Sequence, residues 1–127
     1  MKQIFLWITL TSLSFANINI SISHNNKLVK VTKKELADLY LGKVDNIRGV
    51  KVTPIDNKES YKEFYLKITE KSPKQLRAYW MREMYKGDRT PPKKYSTSTI
   101  NKMLKENSKI ISYSTSKLNG KIIMKIQ

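Results

Sequence analysis

Cysteine is missing from all 127 residues of this chain. That excludes a disulfide framework, a thiolate metal site and a lipid-attachment cysteine behind an export signal. Histidine occurs once, as His24 in a polar turn, so no Cys–His nucleophile pair and no histidine metal cluster can be assembled. The four glycines, at 42, 49, 87 and 120, stand far apart, which excludes a glycine-rich phosphate loop. Arginine, the side chain best suited to phosphate and base edges, occurs four times against twenty-one lysines. Ten carboxylates remain, but Glu35 with Asp38 and Glu59 with Glu63 have only the spacing of solvated helix faces. The chain is read as a non-enzyme with no metal and no organic cofactor.

Positive charge is what the chain has in excess: +15 at pH 7, with a pI near 10.0. Such a balance attracts anions, acidic surfaces or nucleic acid. Nucleic acid is not expected, because the basic residues are scattered and arginine is scarce. At the start, Lys2, an apolar run from Ile4 to Leu13 and the small-residue site Ser14-Phe15-Ala16 spell a secretory signal peptide over 1–16. It is too short for a comfortable membrane span, so the reading is a periplasmic chain without stable membrane insertion after cleavage. Residues 17–127 then make one domain with one core.

Ile18, Ile20 and Ile22 alternate with polar residues as a half-buried strand, which Leu28, Val29 and Val31 extend. Thr32 with Glu35 is a capping box that opens a helix carrying Leu36, Leu39 and Tyr40, closed by Gly42. Residues 44–49 read as a loop, and Val50, Val52 and Ile55 as a second strand interrupted by Pro54. After Ser60, the spacing of Tyr61, Phe64, Tyr65 and Ile68 predicts an amphipathic helix ending near Thr69. Ser72-Pro73 starts another, with Leu76, Tyr79, Trp80 and Met84 as its apolar stripe; Gly87 and Pro91-Pro92 end it. Ser96, Thr97 or Ser98 caps a fourth helix that turns Ile100, Met103 and Leu104 inward. Ile110, Ile111 and Tyr113 form a strand, Asn119-Gly120 signals a hairpin, and Ile122, Met124 and Ile126 alternate along a final strand. Strands and helices interleave, so the expected fold class is α/β: a single three-layer-like domain with a small mixed sheet flanked by about four helices.

Helix starts with small hydroxyl residues are the chemistry that remains. Free N–H groups, the helix dipole and a hydroxyl together suit an anion, at Thr32, Ser60, Ser72 or Thr97. Ordinary capping explains most of these.

Several segments resemble the periplasmic phosphate-binding proteins of ABC transporters, above all their short single-domain relatives. Leu36-Ala37-Asp38-Leu39-Tyr40-Leu41-Gly42-Lys43 is similar to the family's "ADL…IFLGK" segment. Val50 to Asp56 resembles the strand leading to the anion-binding turn. Ser72-Pro73, Ala78-Tyr79-Trp80, Arg82, Tyr85-Lys86-Gly87 and Pro91-Pro92 resemble the "SP-QL-AYW-R…FTG…PP" signature. The stretch from Ile110 to Ile123 is similar to the "AIGYV…LNG" ending, with Ser112 in place of its glycine.

The resemblance implies one lobe of a type II periplasmic binding protein. In full-length relatives an oxyanion lies between two such lobes, held by helix-start amides, Ser/Thr hydroxyls and an arginine. The family's Arg-x-x-Gly-Ser-Gly-Thr turn falls on Asp56 to Lys62, where Ser60 carries over, Asp56 replaces the arginine and Glu59 replaces a glycine. The expected site is therefore Ser60 with the amides of Tyr61 and Lys62, and Arg82 and Arg89 as candidate charge partners. The expected ligand is phosphate or a similar small oxyanion, and the expected partners are an ABC transporter permease or a second copy of the chain. The alternative is a family member without ligand capture that acts as a periplasmic interaction or accessory module. A third is association of the basic surface with anionic lipid headgroups or acidic polymers.

Overall fold

A computed structural model describes residues 17–87 and 89–127; the signal peptide expected over 1–16 lies outside the described residues. The elements in order are β1 (Ile18–Ile22), α1 (Lys33–Tyr40), β2 (Asn46–Ile47), β3 (Val50–Lys51), β4 (Thr53–Pro54) and β5 (Asp56–Asn57). Then follow α2 (Tyr61–Thr69), α3 (Pro73–Tyr85), β6 (Lys94–Tyr95), α4 (Thr97–Glu106), β7 (Ile110–Ser114) and β8 (Lys121–Ile126). The main sheet runs β4-β7-β1-β8, with β1 antiparallel to both β7 and β8 and β4 parallel to β7. The fold is α/β with a mixed sheet and four described helices.

Alternation along the strands divides the core into two layers. Ile18, Ile20, Ile22, Ile111 and Tyr113 join Leu36, Tyr40, Phe64, Leu76 and Trp80 on the side of α1, α2 and α3. Ile110 points the other way and packs with Ile55, Ile100, Leu104 and Leu118 beneath α4. Aromatic rings fill the first layer: Phe64 stacks on Tyr113 at 3.7 Å between centroids, and Tyr40 meets both rings edge-on. Rings of this size each bury a large apolar area, which a chain this short needs.

Helix starts follow their local chemistry. Thr32 with Glu35 and Ser72 with Gln75 close capping boxes, and Ser96 accepts from the Thr99 amide. Pro73 sits at the first position of α3, where its missing N–H costs nothing. Met84 departs from the expected inward stripe and is 54% exposed, because α3 overhangs the core at its C-terminal end.

The strands depart from the sequence pattern in four places. Residues 28–31 are not a strand extension; Leu28 and Val31 tuck in while Val29 points to solvent. The supposed loop 44–49 contains β2, hairpinned to β3 through Arg48 and Gly49, both at positive φ as a two-residue turn requires. The stretch 50–57 is three short strands, each with a different partner. Within it Pro54 is tolerated because β4 is an edge strand, and only Thr53 and Ile55 donate to β7's side, to Lys109 and Ile111 carbonyls. Finally, Asn119-Gly120 is no hairpin: after β7 the chain crosses past β1, and β8 pairs with the far edge of β1. A register shift between Ile20 and Ser21 lets Ile123 turn inward and leaves Ile122 partly exposed.

Candidate functional site

The turn from Asp56 to Lys62 links β5 to α2, and β5 is held beside β6 in parallel, Asp56 opposite Lys94. Asn57 organises it from a fully buried position. Its side-chain Nδ2 donates to the Tyr113 carbonyl and to Thr97 Oγ1, each at 3.0 Å, while its Oδ1 accepts the Glu59 amide at 2.9 Å. The starts of α2 and α4 are thereby brought side by side.

Ser60 is the N-cap of α2, but its hydroxyl makes no bond to the helix amides. The residue is 6% exposed, and its Oγ is buried with no hydrogen-bond partner among the described residues. Of the four described helices only α2 lacks a side-chain cap bond. The Tyr61 and Lys62 amides belong to its uncapped first turn. Tyr61 is half-buried with the Lys94 ammonium 3.8 Å from its ring centroid, and Lys62 is exposed.

Three carboxylates stand close by, one of them Glu63 in the first turn of α2, which pairs with Lys67 at 3.4 Å. Glu59 reaches the start of α4, where one of its oxygens accepts from the Thr97 amide at 3.1 Å and from Thr97 Oγ1 at 2.6 Å. Those bonds, the hydroxyl's first, hold its carboxyl below the usual range. Asp56 is 2% exposed and accepts the Tyr113 and Tyr65 hydroxyls at 2.8 and 2.9 Å. Burial pushes its carboxyl up to about 7, against the pull of the two hydroxyls and of Lys94. Burial and the Asp56 charge also raise both tyrosines.

The candidate arginines lie elsewhere. Arg89 donates to Tyr79 Oη at 3.2 Å and pairs with Glu83 beyond the end of α3, and Arg82 is exposed on α3. Lys94, not singled out in the sequence, is a second cation at the start of α2, beside Lys62. Nothing local marks it, since it arrives through the β5–β6 pairing, across 38 residues of chain. An open cleft of about 960 Å³ is lined by β4 and by Lys43, Asp45, Lys51, Arg89, Lys93 and Tyr95. Among the described residues no three His, Cys, Asp or Glu converge on a metal position, and no helix is long and apolar enough to cross a membrane.

No protein-family model matches the sequence, and comparison with curated proteins finds no match. Solved structures do match. An ABC-type phosphate transport receptor from Vibrio cholerae superposes with TM-score 0.61 over 86% of this chain and 46% of its own, at 12% identity. The chain has the fold of a phosphate-binding-protein lobe. PstS from Borrelia burgdorferi gives 0.57 over 78% of this chain and 41% of its own, at 15% identity. A phosphate ABC transporter substrate-binding protein with bound phosphate, from Clostridium perfringens, gives 0.56 over 77% and 40%, also at 15%. This lobe spans less than half the length of each.

Proposed function

We propose that the chain is an exported solute-binding lobe that captures phosphate or a similar oxyanion at the start of α2. The observation that carries this reading is the uncapped first turn of α2 within a fold shared with phosphate-binding proteins. The amides of Tyr61 and Lys62 donate to the anion, and Ser60 Oγ gains the partner it lacks by rotating about χ1 toward it. Lys62 and Lys94 add attraction. A permease of an ABC transporter receives the ligand, and a second copy of the chain or another lobe closes the cleft that one lobe leaves open. The residue 1–16 segment directs the chain to the periplasm.

A second reading, an accessory module without ligand capture, is favoured by the Glu59 carboxylate already seated at the neighbouring helix start. Thermal shift separates the two. Phosphate and sulfate are titrated at constant ionic strength; a ligand at a hundred times its Kd adds about 2.7 kcal/mol of stability. A saturable rise that disappears in Ser60→Ala supports capture. A flat response across the anions overturns it in favour of the accessory reading.

A further inference from the structure

The outer face of α3 carries a feature that the oxyanion reading does not use. Lys74, Arg77, Ala78, Met81, Arg82 and Tyr85 follow one another at three- and four-residue steps, and all are exposed. Met81 is 73% and Tyr85 94% exposed, the two most exposed large apolar side chains among the described residues. Met81, Arg82, Tyr85 and Lys86 bound a shallow depression of about 330 Å³. Two of the four arginines lie on this stripe. The one carboxylate of α3, Glu83, lies off it, half-buried against Lys86 and Arg89.

We propose that this face of α3 docks the protein on an anionic phospholipid bilayer. The stripe is about 20 Å long and convex, so it meets a plane better than it fills a pocket. Cations at Lys74, Arg77, Arg82 and Lys86 lie along the headgroup phosphates, while Met81 and Tyr85 enter the headgroup layer, where an amphipathic ring is at home. Charge decides against pairing of this face with the same face of a second copy, because the cations Lys74, Arg77, Arg82 and Lys86 would meet their own counterparts. The contact is adsorption, with no crossing of the bilayer.

The test uses the full chain and two kinds of vesicle: phosphatidylcholine alone, and phosphatidylcholine with phosphatidylglycerol in equal parts. The apolar 4–13 run is common to every variant, so the readout is the difference between the two vesicles. Combined Arg77→Gln, Arg82→Gln and Lys86→Gln should weaken anionic-vesicle partitioning by about fivefold per cation, roughly a hundredfold together. The same charge removed from exposed positions on and after α4, by Lys102→Gln, Lys105→Gln and Lys109→Gln, should weaken it far less. Because the chain has no cysteine, a polarity-sensitive dye on Tyr85→Cys or on Lys105→Cys reports each face separately. A blue shift at position 85 alone supports docking through α3. Equal loss in the two triple variants, shifts at both or neither dye, or no preference for anionic vesicles overturns it; the last would leave the face to an acidic protein partner.

Discussion

Glu59 caps a helix that begins 38 residues away: its carboxylate takes both the amide and the hydroxyl of Thr97 at the start of α4. The chain thus carries its own anion beside the helix start where an external one is proposed to bind. An incoming oxyanion meets this charge at close quarters, so the two compete electrostatically.

Glu59→Gln should therefore have opposite effects on stability and on binding. It removes a charge that favours the α4 dipole, so the melting temperature of the free protein falls. It also removes the repulsion, so phosphate affinity rises. Calorimetric titration of both proteins checks the sign, and unchanged or weaker binding in the variant would count against anion capture next to Glu59.

Ser60 and Thr32 should answer differently to alanine. Thr32→Ala breaks a capping box and should cost about 1 kcal/mol. Ser60→Ala removes a buried hydroxyl that makes no bond, so without ligand it should leave stability unchanged or raise it by up to about 1 kcal/mol. Urea midpoints compare the two, and a loss at Ser60 as large as at Thr32 would mean its hydroxyl is bonded in solution.

Asp56 sets a pH dependence of unusual sign. Its folded value of about 7 exceeds the ordinary 3.8, so the folded state holds a proton that the unfolded chain has released between those values. Stability from this group is present below about pH 4 and is lost as pH rises to about 7, by roughly 4 kcal/mol at 1.36 per pH unit. Glu35 and Glu59, held low, contribute the opposite slope only in more acidic solution. Denaturation of Asp56→Asn across pH 4 to 7 should show the decline flattened relative to the parent; parallel curves would show that Asp56 titrates normally.

Gly120 is required where β8 passes the end of β1. A Cβ there would lie 2.4 Å from the Ile22 carbonyl oxygen, and φ is 111°. Gly120→Ala should cost more than about 2 kcal/mol. Gly49→Ala, at φ 83° with open space around it, should cost only about 1 kcal/mol. Urea unfolding of the pair separates clash from backbone preference.

Helices were legible because their signals are local. Caps at Thr32, Ser72 and Ser96 and the apolar steps of Leu36, Phe64, Leu76 and Ile100 lie within one or two turns of each other. The turn at 56–62 was legible as a helix start, but its electrostatics were not. Whether Asp56 repels an anion or is sealed beneath Tyr65 and Tyr113 depends on residues 9 and 57 positions away. The second cation at the start of α2, Lys94, is likewise a product of strand pairing and carries no local mark.

By itself the sequence determined the α/β class, the helix starts, the inward isoleucines of β1 and the excess of positive charge. The first three follow from periodicity or from a hydroxyl next to free amides, which act over a few residues, and the charge follows from composition alone. Tertiary structure decided the pairing of β8. Asn119-Gly120 favours a hairpin onto β7, but β7 already has β4 on one edge and β1 on the other. The free edge belonged to β1, so β8 crossed over to it, with Leu118 buried under α4 and Gly120 pressed on the Ile22 carbonyl. A turn signal sets local backbone geometry, but which edge is open depends on the whole sheet.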